Sequence, residues 1–259
     1  LLGLGVEGVR AAEKIVAHLT ESERLEASLD RGEVRLLAPV PSPPKIICLG
    51  LNYRDHAEEG GKKIPDEPVI FMKPRTAIVG PEDCVVRPSF VRQLDYEAEL
   101  AVVVGRRGRH IPPSEAEGYI LGYTCFNDIS ARDIQFGDGQ WTRGKGFDTF
   151  APIGPCITTV AQIGDPDNLR IASRVNGETR QSSSTGNMVF GVREVVHQMS
   201  RVMTLEPGDI IATGTPAGVG IYAKPEPRLL SPGDVVEVEV EGIGTLRNRI
   251  VEERPESTG

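Results

Sequence analysis

Aromatic residues are scarce, at 5% of 259 positions with one tryptophan, Trp141, so a groove built on ring stacking has little to draw on. Cysteine is also sparse. Cys48, Cys84, Cys125 and Cys156 are far apart and form no Cys-x-x-Cys, which argues against a zinc site and points to reduced thiols in a cytosol-like compartment. No apolar run approaches the ~18 residues of a membrane span. Positive charge is in deficit: 29 Lys and Arg against 37 Asp and Glu give a net charge of -8 and exclude nucleic acid or an anionic membrane as the main partner. A locally positive pocket for small acids remains open. The chain opens at Leu1, so a preceding segment with any targeting signal is also left open.

Glycine (29) and proline (20), in contrast, are plentiful, and they predict many turns and short strands. Apolar residues at helical spacing, Ile15, Leu19, Leu25 and Leu29, predict an amphipathic helix from Val9 to about Leu29. A short strand is expected over Val34–Leu37. Four prolines between Pro39 and Pro44 read as a linker. The expected division is therefore a short N-terminal α/β appendage with its linker over 1–43, then a catalytic domain over 44–255. In that domain, strands are expected at Ile46–Leu49, Val69–Met72, Glu97–Val104, Ile120–Asn127 and Val235–Val240. Weaker strand signals cover Leu169–Val175, Ile210–Thr213 and Leu246–Val251. Helices are expected at Tyr53–Glu59, Pro113–Glu117 and Val192–Met203. The order implies a mixed, largely antiparallel β fold with few helices.

The residues with most chemical content lie in Asp95-Tyr-Glu-Ala-Glu-Leu-Ala-Val-Val-Val104. Residues i and i+2 of a strand share a face about 7 Å apart, so Glu97 and Glu99 stand side by side where apolar groups are expected. Asp128 closes the apolar run Ile120–Asn127. Three carboxylates at two strand ends make an all-oxygen site suited to Mg²⁺, with Mn²⁺ or Ca²⁺ as substitutes. Taken alone, Glu97 and Glu99 fit a solvated face paired with Arg or Lys equally well, and Asp128 a turn. His56 and Glu59 are three apart on one face of a short helix, where the carboxylate can orient the imidazole as a base; an ordinary exposed pair is the rival reading. Lys145, between two glycines, could neutralise a developing enolate, although a surface loop lysine is commoner. Gly214-Thr-Pro-Ala-Gly-Val-Gly220 lacks the ending of a phosphate-binding loop and reads as a turn, with N–H groups able to face an anion.

In combination these pieces are specific. Asn-Tyr-Arg-Asp-His56, Phe-Met-Lys-Pro74, Asp-Tyr-Glu-Ala-Glu-Leu100, Asn-Asp-Ile-Ser-Ala-Arg-Asp-Ile-Gln135, Gly-Lys-Gly-Phe-Asp-Thr-Phe150 and Gly-Thr-Pro-Ala-Gly-Val-Gly220 occur in the order and spacing of the fumarylacetoacetate hydrolase family. From Pro39 to Arg249 the chain resembles that family. Leu-Leu-Ala-Pro-Val-Pro41 and the stretch from Asn-Gly-Glu178 to Met-Val-Phe190 are most similar to its domain-containing-protein-2 branch and its bacterial 2-hydroxyhepta-2,4-diene-1,7-dioate isomerases. The resemblance implies a mixed β-roll and a homodimer. It also implies Mg²⁺ on Glu97, Glu99 and Asp128, a His56–Glu59 dyad, and Lys145 as the active-site lysine. Gln135 and Thr215 are implied as substrate contacts, with Arg132 and Lys73 as further anion contacts. The implied substrates are 2-oxo or 1,3-dicarbonyl acids. C–C hydrolysis of acylpyruvate-type compounds is the first expectation, with isomerisation, tautomerisation or decarboxylation through the same enolate as alternatives. Family members with a longer N-terminal domain contrast with the helix and strand before Pro39. Outside this class, a glycosidase fits poorly, because i and i+2 carboxylates on one strand cannot flank a sugar ring. A catalytically silent metal-binding relative also remains, against which the intact His56, Glu59 and Lys145 set argues.

Overall fold

The computed structural model describes residues 5–254, so residues 1–4 of the expected appendage and residue 255 of the expected catalytic domain lie outside it. The N-terminal piece holds two helices, α1 (Gly5–His18) and α2 (Glu21–Glu26), in place of one continuous helix. The break is a capping box. The Thr20 side chain accepts from the Glu23 N–H, and Glu23 reaches back to the Thr20 N–H at 2.8 Å. Val9 packs against the main body, but Ile15, Leu25 and Leu29 are exposed, so most of the expected apolar stripe is not a core face here. Val34–Leu37 forms no strand, because nothing among the described residues pairs with it. Among the described residues the appendage is therefore helical and not α/β.

The body begins with β1 (Ile46–Gly50), α3 (Arg54–Glu59), β2 (Val69–Lys73), β3 (Ile78–Val79), β4 (Cys84–Arg87) and β5 (Leu94–Asp95). β6 (Ala98–Val104), β7 (Ile120–Asn127), β8 (Ser130–Ala131), α4 (Arg132–Asp138), α5 (Trp141–Lys145), β9 (Ala151–Thr159) and α6 (Val160–Ile163) form its middle. β10 (Arg170–Val175), β11 (Glu178–Ser184), α7 (Val192–Val202), β12 (Ile210–Ala212), β13 (Val235–Val240) and β14 (Gly244–Glu252) complete it. The expected Pro113–Glu117 helix is a 3₁₀ turn over Pro113–Tyr119.

Seven strands form a mixed sheet in the order β2-β1-β12-β6-β7-β9-β3, and five form a second in the order β11-β10-β13-β14-β4. β1–β12, β3–β9 and β4–β14 are parallel and the other pairs antiparallel. The second sheet packs across β6, β7 and β9. Every residue of β6 and β7 is buried, as their near-continuous apolar runs require of central strands. On β13, Val236, Val238 and Val240 face the core, while Glu237 and Glu239 turn outward to Arg174 at 3.2 and 2.5 Å. α7 buries Val192, Val195, Val196 and Met199, one helical face, against the same core.

Candidate active site

The β6–β7 pairing creates the acidic end of the site. Ala98 lies opposite Asn127 and Glu99 opposite Phe126, and the Asp128 N–H donates to the Glu97 carbonyl at 2.9 Å, so Glu97 and Asp128 meet where both strands end. Glu97, Glu99 and Asp128 are all buried and offer one carboxylate oxygen each within 4.8 Å of one another.

Four buried carboxylates (Asp95, Glu97, Glu99, Asp128) face three buried cations (Lys73, Arg132, Lys145). Lys145 Nζ donates to Glu97 Oε2 and to Asp128 Oδ2, each at 2.7 Å. Arg132 joins Asp95 Oδ2 through Nε at 2.8 Å and Glu97 Oε1 through Nη1 at 2.7 Å. Burial pushes the Glu97 carboxyl up, but Lys145 and Arg132 outweigh it and hold it at about 2. Burial pulls Lys145 down, yet Asp128 and Glu97 leave it above the usual lysine value. Among the described residues Glu99 makes no ion pair, and the charge of Lys145 offsets its burial only in part. Burial and then the charges of Asp128 and Glu97 push its carboxyl well above the carboxylate range, and its one hydrogen bond is from the Gly214 N–H to Oε2 at 2.8 Å.

Among the described residues four buried carboxylate oxygens lack a hydrogen bond, and two of them, Glu99 Oε1 and Asp128 Oδ1, belong to this trio. Asp128 Oδ1 is 2.6 Å from Lys73 Nζ, but Lys73 directs its hydrogens to the carbonyls of Ile129, Lys145 and Phe150. A Glu99 carboxylate that makes no ion pair among the described residues, its orphaned Oε1 and an all-carboxylate donor set fit a hard divalent cation, whose six ligands at ~2.0–2.1 Å span roughly 4 Å.

The dyad residues come from α3, which is fastened from outside. Arg54 donates to the Met188 carbonyl at 2.5 Å, Ser183 Oγ donates to Asp55 Oδ2 at 2.7 Å, and Asn52 bridges the Thr213 carbonyl and the Phe190 N–H at 2.8 and 2.9 Å. His56 Nδ1 lies 3.5 Å from Glu59 Oε2 without a hydrogen bond. Glu58 is exposed.

A cavity of about 150 Å³ brings His56, Glu97, Arg132, Gln135, Lys145 and Thr215 together, with Trp141, Tyr222 and Phe71 among its walls. Two larger hollows, of about 760 and 510 Å³, lie elsewhere, beside α1 and beside α5. The small cavity gathers the buried Glu97, Arg132 and Lys145 and the half-buried His56, and we take it as the site. Arg132 Nη2 is buried there without a partner. Gln135 Oε1 accepts from Arg132 Nη1 at 3.0 Å. Thr215 Oγ1 is held between the Ala98 carbonyl and Gln181 Nε2, at 2.9 and 2.7 Å. Lys73 does not line this cavity; its three carbonyl contacts place it behind Asp128. Lys145 ends α5 as a 2% exposed residue, 5.1 Å over the Phe71 ring, and not as a surface loop lysine.

Sequence reasoning left two contributors without a role. Asp95 clamps Arg132, and its signal was in the same run, since positions 95, 97 and 99 share the two-residue period. Tyr222, with its ring 5.9 Å from that of His56, had no sequence signal. Arg132→Lys gives a specific expectation. A lysine cannot serve Asp95, Glu97 and a ligand at once, so KM for an acidic substrate is expected to rise at least tenfold with a smaller change in kcat. Steady-state kinetics checks this.

Residues 45–251 match the fumarylacetoacetate (FAA) hydrolase C-terminal family. The bovine mitochondrial oxaloacetate tautomerase FAHD2A is 48% identical over 225 residues, 86% of this chain and 71% of that one. The 5-carboxymethyl-2-hydroxymuconate delta-isomerase of Mycobacterium smegmatis superposes with a TM-score of 0.78 at 45% identity, covering 88% of this chain and 86% of that one. The fumarylacetoacetate hydrolase of psychrophilic Exiguobacterium antarcticum superposes with a TM-score of 0.80 at 44% identity, covering 93% and 87%. The sheet-rich body with few helices is the fold these relatives share, and the chain belongs to the fumarylacetoacetate hydrolase family.

Proposed function

We propose that this chain is a divalent-cation-dependent tautomerase or isomerase of small 2-oxo acids, oxaloacetate-like dicarboxylic acids first among them. The observation that carries the reading is one convergence. The orphaned Oε1 of Glu99, the Asp128 carboxylate, the orphaned Nη2 of Arg132 and the Lys145 ammonium gather at or just beneath a cavity that also holds His56. The named activities of the bovine and M. smegmatis relatives support the same class.

A cation such as Mg²⁺, held by Glu97, Glu99 and Asp128, would supply Lewis acidity toward the 2-oxo group. The chain's own residues do the rest. Arg132 Nη2 offers a charge-assisted hydrogen bond to the substrate carboxylate. Lys145 sets positive charge beside the oxygen on which the enolate develops. His56 takes the proton from the carbon next to the carbonyl, and the electron pair of that C–H bond becomes the enolate double bond. Returning a proton to oxygen gives the enol; returning it to a conjugated carbon shifts a double bond. Lys73, anchored on three carbonyls, keeps Asp128 in place.

C–C hydrolysis, the first expectation from the sequence, needs the same enolate and an attacking water. The likeness to the E. antarcticum hydrolase keeps it as the second reading. Proton NMR of oxaloacetate and of an acylpyruvate, with and without Mg²⁺, separates them: keto–enol exchange without cleavage supports the first, cleavage the second, and no metal-dependent change with either rejects both. His56→Ala is expected to slow turnover by on the order of 10²-fold or more while Mn²⁺ affinity is kept; an unchanged rate removes the imidazole from the mechanism. The working form is proposed to be a homodimer, testable by light scattering. A cytoplasm-like compartment is proposed on the four free thiols.

A further inference from the structure

Segment 214–221 carries one side chain into the cavity, Thr215, yet its main-chain N–H groups reach three carboxylates on three different elements. Gly214 N–H donates to Glu99 Oε2 on β6 at 2.8 Å. Gly218 N–H donates to both oxygens of Glu59 on α3, at 3.0 and 3.1 Å. Gly220 and Ile221 donate to the two oxygens of Asp95 on β5, at 2.8 and 3.1 Å. These are one member of the acidic trio, the dyad carboxylate, and the clamp on Arg132. Hydrogen bonds to ionised acceptors are among the stronger ones.

The segment is itself fixed. Gln181 Nε2 donates to Thr215 Oγ1 and to the Pro216 carbonyl at 2.7 and 2.8 Å, and Tyr96 Oη donates to the Gly218 carbonyl at 3.1 Å. Gly218 sits at φ +102°, where side chains are strained, and a Cβ there would lie 2.3 Å from the Arg180 carbonyl oxygen. Gly218 is thus held through both flanking peptides, by Tyr96 at the carbonyl of the 218–219 peptide and by Glu59 at the N–H of the 217–218 peptide. Glu59 has both oxygens on Gly218 and no hydrogen bond to His56, so the loop, and not the imidazole, sets the plane of this carboxylate.

We infer that Gly218 is a positioning residue for the His56–Glu59 pair, acting through its main-chain N–H; this rests on the reading of His56 as the proton-transferring base given under Proposed function. Gly218→Ala in the full chain is expected to lower kcat about as far as Glu59→Ala does. In the Glu59→Ala background it should cost less than twofold more, because the interaction it serves is already gone. Mn²⁺ affinity should stay within twofold of wild type. The ¹⁵N resonance of His56 Nδ1 should move toward its position in Glu59→Ala, and those of His18, His110 and His197 should not. Tyr96→Phe keeps the core volume and loosens Gly218 at its carbonyl, the neighbouring peptide. It should shift His56 in the same direction with a smaller kcat loss, roughly threefold, which keeps the test alive should Gly218→Ala not fold. Multiplicative losses in the double variant, weakened Mn²⁺ binding, or an unmoved His56 resonance in both variants would each overturn the assignment. The resonance needs no substrate, so a wild type without turnover defeats the functional reading and leaves this test intact.

Discussion

Replacing Glu99 with glutamine is expected to abolish metal-dependent turnover and, at the same time, to make the metal-free protein more stable at neutral pH. The two effects have one cause. Glu99 is fully buried, makes no ion pair among the described residues, and is flanked by the charges of Asp128 and Glu97, which Lys145 offsets only in part. Its carboxyl is raised above its ordinary value in the folded state. The linkage sign follows: its contribution to stability is intact below about pH 4.5 and is lost as pH rises through the raised folded value. A glutamine oxygen can still accept the Gly214 N–H, and it removes the charge. The wild type, in contrast, should recover its loss by binding a cation. At one hundred times Kd that stabilisation is about 2.7 kcal/mol, and Glu99→Gln should show none of it. Because the cation displaces the proton on Glu99, wild-type affinity should rise about tenfold per pH unit while that proton is held. Thermal unfolding with and without Mg²⁺ across pH checks both signs.

Lys145→Met is expected to produce the opposite change in the metal-free protein. Lys145 stands 2.7 Å from both Glu97 and Asp128, buried with them. Methionine fills similar space and leaves two carboxylates facing each other, with Arg132 still on Glu97 and Lys73 still near Asp128. Breaking a buried pair in this way costs about 3–5 kcal/mol, and the remaining partners favour the lower end. For a chain of this size that is a fall in Tm of roughly 6–12 °C. Mg²⁺ should restore more stability to this variant than to wild type, because it supplies the charge that was removed. The acid limb should change too. Glu97 is held at about 2, so its pairing stabilises the folded state above the ordinary value of 4.5 and is lost as pH falls toward 2. With Lys145 gone, only the Arg132 share of that loss remains. Turnover should fall by on the order of 10²-fold or more, as for other groups aimed at a developing oxyanion.

Much of this site was legible because strand geometry and local spacing carry it. Glu97 and Glu99 share a face by the two-residue period, and the fully apolar β6 and β7 runs had to be central strands. His56 and Glu59 fall on one face of α3 by helical spacing. What was not legible depends on contacts distant in sequence. Lys145 could be read from its glycine neighbours as a loop lysine; only the docking of α5 under Phe71 buries it. β11 (Glu-Thr-Arg-Gln-Ser-Ser-Ser) has almost no apolar residue, and as a sheet edge it needs little, so it gave no strand signal. β9 is broken by prolines and glycine and likewise gave none. The expected helix from Val9 to Leu29 failed at Thr20, where the Thr-Glu-Ser-Glu capping signal was present and the apolar spacing was given more weight. The four N–H groups of segment 214–221 that meet Glu99, Glu59 and Asp95 lie in a stretch whose sequence indicates only a turn, since nothing local says which anion an N–H will meet.

The central claim is that Glu97, Glu99 and Asp128 hold one divalent cation beside a pocket for a 2-oxo acid. Electron paramagnetic resonance of Mn²⁺, titrated into the metal-free protein and then with oxalate, tests it most directly. One bound Mn²⁺ per chain, a spectrum altered by oxalate, and loss of both in Glu99→Gln and Asp128→Asn are expected. Equal Mn²⁺ binding in wild type and both variants, or a spectrum indifferent to oxalate, would contradict it.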